Sequence, residues 1–211
     1  RAAAVEPSFQ LTTGNTSSIT QICQRLDGIP LAIELAARRV TALSVDQIAE
    51  RLDERFRLLT SGSRAALPRQ QTLHALIDWS YALLNDAEKL LLARLAVFSG
   101  SALLTSITAV VVSVEIPPEQ CGDLLYSLAE KSLVHVDPMA GETRYRLLES
   151  TRYYAAEKLG AAPEIRRRHA AHFLARFAEA TAEWETTPTQ RWIVQYEADL
   201  DNLRGALEWV F

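Results

Sequence analysis

The sequence predicts a mainly α-helical chain with one small β-hairpin, and three observations lead there. Apolar residues recur at three- and four-residue spacing along much of the chain, as at Ile19, Ile22, Cys23 and Leu26. That repeat places them on one helix face. Glycine and proline fall at the joints between such stripes, at Gly28 and Pro30, at Pro117 and Pro118, and at Pro163 and Pro188. Only residues 133–136 and 144–147, which flank Asp137, Pro138 and Gly141, read as short paired strands.

The first helix runs from Ser17 or Ser18 to Leu26 and stops at Gly28, because glycine takes a left-handed cap without steric penalty. Pro30 opens the next helix, where its missing N–H has no intrahelical acceptor to lose. The result is a stiff helix–turn–helix corner. Residues 30–43 carry Leu31, Ile33, Leu35, Ala36 and Val40 on more than one face, which predicts burial. Ser44 and Gln47 form a capping box that opens a short helix through Leu52. Residues 58–68 have a linker composition, with Ser61, Gly62, Ser63 and Pro68, and place a first boundary at 66/67.

Beyond it, Leu73, Leu76, Ile77, Ser80, Tyr81 and Leu84 share one helix face, and Asn85 caps a helix that runs to about Val97. Residues 107–114 are ambiguous: the valines favour a strand by propensity, while the position between helices favours a short buried helix. Residues 119–131 form a helix with Cys121, Leu124, Leu125 and Leu128 inward, and the hairpin follows with a loop spanning 137–142. Three helices followed by such a hairpin make a winged helix, here over 67–160. From about Pro163 a long helix carries Ile165, His169, His172, Phe173 and Phe177, and a second holds Trp192, Tyr196, Leu200, Leu203 and Leu207. An antiparallel pair with apolar faces, over 161–211, is the unit of a helical superhelix.

Composition narrows the function classes. The chain has 211 residues, 48% of them hydrophobic, which suits packed cores. A net charge of −4 argues against broad attraction to nucleic acid. Cys23 and Cys121 lack metal-ligand spacing and suit a reducing, cytoplasmic setting. The start reads as a helix end and the finish lies inside an apolar stripe, so the chain is expected to be a piece of a longer protein.

Several stretches in this order and spacing closely resemble the STAND class of signal-transducing NTPases, the group that includes NB-ARC proteins and many LuxR-type bacterial regulators. They are Ile22-Cys23-Gln24-Arg25-Leu26-Asp27-Gly28-Ile29-Pro30-Leu31-Ala32, Leu67-Pro68-Arg69-Gln70-Gln71-Thr72-Leu73, Ile77-Asp78-Trp79-Ser80-Tyr81, Lys131-Ser132-Leu133-Val134 and Tyr145-Arg146-Leu147-Leu148-Glu149. The resemblance implies that residues 1–66 are the helical lid of a nucleotide-binding module, 67–160 its winged helix, and 161–211 the start of a tetratricopeptide-like region. It implies that Gly28, Pro30 and Leu31 line the nucleotide, with Pro30 on the adenine. ATP or ADP with Mg would be held by a P-loop core outside this chain, so no cofactor should bind tightly here. The implied partners are that core, the helical sensor, and proteins on the helical repeats. DNA would be met by a separate C-terminal domain, and no membrane is involved. Relatives touch the β-phosphate through a Met-His-Asp motif; here Leu147-Leu148-Glu149 stands in its place, leaving Arg144 or Arg146 as substitutes.

The remaining chemistry reads as structural. His169 and His172 stand three apart on a helix, a spacing that could share a metal, but no third ligand lies nearby in sequence. No nucleophile elbow or other catalytic motif is present, so the chain itself is read as no enzyme. The alternative function is a winged-helix DNA-binding module or a helical protein-interaction scaffold. Glu119, Asp123 and Glu130 on the third helix, against Lys131 alone, weigh against direct DNA binding.

Overall fold

The computed structural model describes residues 1–26, 29–60, 68–139 and 142–211. They divide into two compact units, residues 1–84 and 85–211. The first is all helical: a single turn α1 (Ala2–Val5), then α2 (Thr16–Arg25), α3 (Pro30–Ala37), α4 (Val45–Thr60) and α5 (Pro68–Ala82). Its core is made by Ile22 and Leu26 of the first stripe, Ala32, Leu35 and Ala36 of α3, Ile48 and Leu52 of α4, and Leu76, Ile77 and Trp79 of α5. The Ser44–Gln47 box is present: the Gln47 amide donates to Ser44 Oγ at 3.2 Å and the Ser44 amide to Gln47 Oε1 at 3.0 Å. Helix α4 continues to Thr60, past the end expected at Leu52 and into the segment read as linker.

The second unit holds α6 (Asp86–Leu95), α7 (Leu104–Val111), α8 (Pro118–Glu130), α9 (Glu149–Leu159), α10 (Pro163–Glu183), α11 (Thr189–Tyr196) and α12 (Leu200–Val210). A three-stranded antiparallel sheet completes it, β1 (Ala102–Leu103), β2 (His135–Met139) and β3 (Glu142–Arg146), in the order β1-β3-β2. Asn85 caps α6 as the sequence predicts: Asn85 Oδ1 accepts from the Glu88 amide at 2.9 Å, and Glu88 Oε2 from the Asn85 amide at 3.0 Å. The ambiguous run is helical, because Ile107, Val110 and Val111 fall on one face and are fully buried. Burial at helical spacing outweighs valine's strand propensity there.

Two further features differ from the sequence reading. The hairpin pairs further than expected, with Met139 opposite Glu142, so only residues 140 and 141, outside the described residues, connect the strands. Pro138 is tolerated because β2 is an edge strand. The last apolar stripe is two helices rather than one, separated by a 3-10 turn at Glu197–Asp199. The β1 strand pairs Ala102 with Tyr145 and Leu103 with Arg144, closing the sheet on the side away from β2.

One buried carboxylate joins α6 to α8. Glu88 is 3% exposed, and its Oε1 accepts from Ser127 Oγ at 2.6 Å and from Lys131 Nζ. Glu88→Ala removes the partner of a half-buried ammonium and half of the α6 cap together. It should cost unit two about 3 kcal/mol in urea unfolding, whereas exposed Glu157→Ala should cost roughly 0.5 kcal/mol or less.

Candidate functional site

The corner singled out on the sequence lies in the first unit. Gly28, like Asp27, is outside the described residues. Leu26 is wholly buried, Ile29 is extended with φ −66° and ψ 117°, and the Ile29 amide closes the corner onto the Leu26 carbonyl at 2.9 Å. Pro30 is the first residue of α3 and is exposed; Leu31 is half-buried. The Leu31 and Ala32 amides stand in the first turn, where no intrahelical acceptor is available. The corner therefore offers an apolar ring and a helix N-terminus side by side. An apolar cleft of about 350 Å³ in the same unit is lined by Phe9, Ile19, Cys23, Ile33 and Val40 among others, but not by Pro30 or Leu31.

The second candidate surface is the winged helix itself. Helix α8 immediately precedes the β2–β3 hairpin, the place of a recognition helix in a winged helix-turn-helix. Its inner face is Cys121, Leu125 and Leu128, all fully buried. Its outer face presents Glu119, Gln120, Asp123, Tyr126 and Glu130. No lysine or arginine occurs from 118 to 130, and Lys131 is turned to Glu88. Tyr126 is 66% exposed, and its hydroxyl pKa is raised, mainly by hydrogen bonding to Glu130.

The arginines near the wing face inward or pair locally. Arg144 is buried; its Nη2 donates to Asp199 Oδ1 and to the Ser101 carbonyl at 2.9 Å, and its Nε to Ser101 Oγ at 2.9 Å. Arg146 Nε donates to Asp137 Oδ2 at 2.7 Å. Arg144 is therefore withdrawn from the phosphate-contact role suggested for it, and Arg146 already holds a carboxylate. Of the residues replacing the Met-His-Asp motif, Leu148 is the N-cap of α9 and Glu149, its first residue, pairs with Arg152 at 2.8 Å. The Arg166–Arg168 run is divided: Arg167 pairs with Glu164, while Arg168 donates to the Val112 and Ala109 carbonyls at the end of α7.

His169 is 3% exposed, packed edge-on to Phe98 at 5.1 Å and against Phe173 at 4.8 Å between centroids. Burial lowers its pKa to about 4, against a smaller opposing hydrogen bond with Asn202. His172 is lowered by burial too. Among the described residues no group of three His, Cys, Asp or Glu side chains could hold a metal ion. No helix among them is long and apolar enough to cross a membrane.

With the three-helix core and wing in place, residues 84–160 match the family model of the winged helix-turn-helix domain. Over 211 residues the chain is 45% identical to proteins named "Putative HTH-type transcriptional regulator", Rv0890c of Mycobacterium tuberculosis and Mb0914c of Mycobacterium bovis. That alignment covers 99% of this chain and 24% of each relative, so the chain spans about a quarter of the curated relatives' length. A further relative, "Uncharacterized protein Rv0894" of Mycobacterium tuberculosis, is 41% identical over 165 residues, 78% of this chain and 42% of that protein. The matched winged-helix region holds ten acidic side chains against seven basic ones, a net charge of −3.

The His169 environment carries a pH signature. Its folded pKa lies below the ordinary histidine value of 6.5. The unfolded chain therefore binds a proton that the folded chain refuses, and stability falls as pH drops from 6.5 toward 4. The contribution is about 3 kcal/mol at full titration. Urea melts should show the stability of the native chain relative to His169→Leu shrinking by about that amount between pH 7 and pH 4.

Proposed function

We propose that this chain is a non-enzymatic regulatory segment of a DNA-binding transcriptional regulator, and that its winged helix docks on protein. The winged helix-turn-helix match and the names of the relatives support the regulator reading. One observation carries the docking reading: the outer face of α8 holds Glu119, Asp123 and Glu130 with no basic residue between 118 and 130. Specific duplex binders place lysine and arginine against phosphates, because that attraction supplies most of their affinity. A helix of this charge in the groove would face repulsion at every phosphate.

The finer reading concerns what the docking follows. In it, Gly28, Pro30 and Leu31 cap the adenine of ATP or ADP, which a P-loop core of the parent protein holds with Mg. Lid (1–66) and winged helix (67–160) close over that nucleotide, and the helical region from 161 onward passes protein signals to them. The exposed proline at the first position of α3, beside a helix N-terminus, supports this, as does the resemblance on which it rests. The parent protein would then contact DNA through a separate domain.

A second reading, direct DNA binding by this winged helix, is favoured over nucleotide switching by the comparisons, since both the matched domain and the relatives' names are of the helix-turn-helix kind. A fluorescent-duplex titration of this chain at low salt separates the two. The docking reading expects no saturable binding by the native chain, and a salt-sensitive gain of at least about tenfold in Glu119→Lys/Asp123→Lys. Tight, steeply salt-dependent binding by the native chain would instead assign α8 to the duplex. For the corner, Pro30→Ala in the parent protein should weaken ADP binding by about fivefold, the worth of one small apolar contact, and unchanged affinity would remove Pro30 from the nucleotide.

A further inference from the structure

The second unit contains a polar joint that neither the family match nor the proposed function uses. Asp199, in the 3-10 turn between α11 and α12, is fully buried. Two guanidinium groups from different elements share its carboxylate. Arg144 of β3 donates from Nη2 to Oδ1, and Arg176 of α10 donates from Nε to Oδ2 at 2.5 Å. Arg144 also donates to the Ala198 carbonyl of that turn at 3.2 Å, and Arg176 to the Gln195 carbonyl in the last turn of α11 at 3.3 Å.

A second set of bonds runs alongside. Buried Asn202, on α12, accepts at Oδ1 from the Ser99 amide at 3.0 Å and donates from Nδ2 to the Ser101 carbonyl at 3.0 Å. Ser101 leads directly into β1, and its carbonyl is the one Arg144 also reaches. Helix α12 sits close enough on this segment that a Cβ at Gly205 would meet Ser99 Oγ at 2.5 Å. The wing sheet is therefore tied to the helical hairpin at both β1 and β3, across some fifty-five residues of sequence for the Arg144–Asp199 pair.

We propose that Arg144, Asp199 and Arg176 form a relay that makes the wing sheet and the α11–α12 segment move as one body, so that a partner displacing α12 is registered at β3. The physical ground is asymmetry. Arg144 is buried, so parting it from Asp199 would leave its guanidinium charge uncompensated in a dry site, whereas the carboxylate would keep Arg176. A shift of the turn at Asp199 must therefore carry Arg144 with it or break the joint. The relay does not depend on what the winged helix contacts, nor on any nucleotide. It makes Arg144 a positioning residue.

Hydrogen exchange read by mass spectrometry tests it on the 211-residue chain. In the native chain, amides of β3 and of α12 should share one opening transition as denaturant is raised below the melting point. Asp199→Asn should accelerate exchange in β3 by about tenfold or more, although the substitution lies on the other side of the joint. Asp201→Asn, an exposed acid two residues away that pairs with Arg204, should leave β3 at the native rate. Separate opening transitions for β3 and α12 in the native chain would overturn the proposal, and that arm decides it even if Asp199→Asn does not fold. Loosening of α12 alone in Asp199→Asn would overturn it equally.

Discussion

The second unit is organised around one buried carboxylate. Asp199 takes two guanidinium groups, from β3 and from α10, and the same arginines bond backbone carbonyls at Ala198 in its turn and Gln195 in α11. Such a cluster adds little net stability, because the desolvation of three charges offsets their attraction, and matched apolar side chains would serve the fold as well. What it adds is specificity of arrangement. Removing Asp199 alone strands a buried guanidinium at a cost of about 3–5 kcal/mol, so the wing, the long helix and the α11–α12 segment accept only the relative placement that satisfies all three.

The same economy of charge shapes the surface. Arg144 is inside, Lys131 is turned to Glu88, Arg94 donates to the Val111 carbonyl, and Arg146 and Arg152 hold carboxylates of their own. The winged helix thus uses most of its cations internally or in local pairs, while Glu119, Asp123 and Glu130 stand outward on α8. A winged-helix architecture and a duplex-binding surface are separate properties: the first follows from apolar spacing and the second from exposed basic side chains. This distinction, rather than the fold, decides between a docking module and a reader of DNA.

Much of the local structure was legible in the sequence because local rules govern it. The Ser44–Gln47 box, the Asn85 cap, the stop at Leu26, the proline starts at 30 and 163, and the hairpin all rest on contacts within a few residues. What was missed depends on pairing far along the chain. Two residues at Ala102–Leu103 carry no strand signal alone and become β1 only because β3, about forty residues on, offers an edge. The break at Glu197–Asp199 interrupts an apolar stripe that continues in register across it, so periodicity could not reveal it. Arg144 was a phosphate candidate only as a substitute near the residues that replace the Met-His-Asp motif; its burial beside Asp199 is visible only in three dimensions. Of the corner, its proline start at residue 30 was legible, while its ligand rests on resemblance.

The account stands or falls on whether the joint at Asp199 is energetically real. A double-mutant cycle measures this: urea unfolding of the native chain, Arg144→Met, Asp199→Leu and the pair, with the coupling taken from the four free energies. The structure predicts a coupling above about 2 kcal/mol, with the double variant more stable than Asp199→Leu alone, because Arg144→Met removes the buried guanidinium that loss of the carboxylate strands. A coupling below about 0.5 kcal/mol would contradict it, reducing the winged helix and the helical hairpin to neighbours that happen to touch.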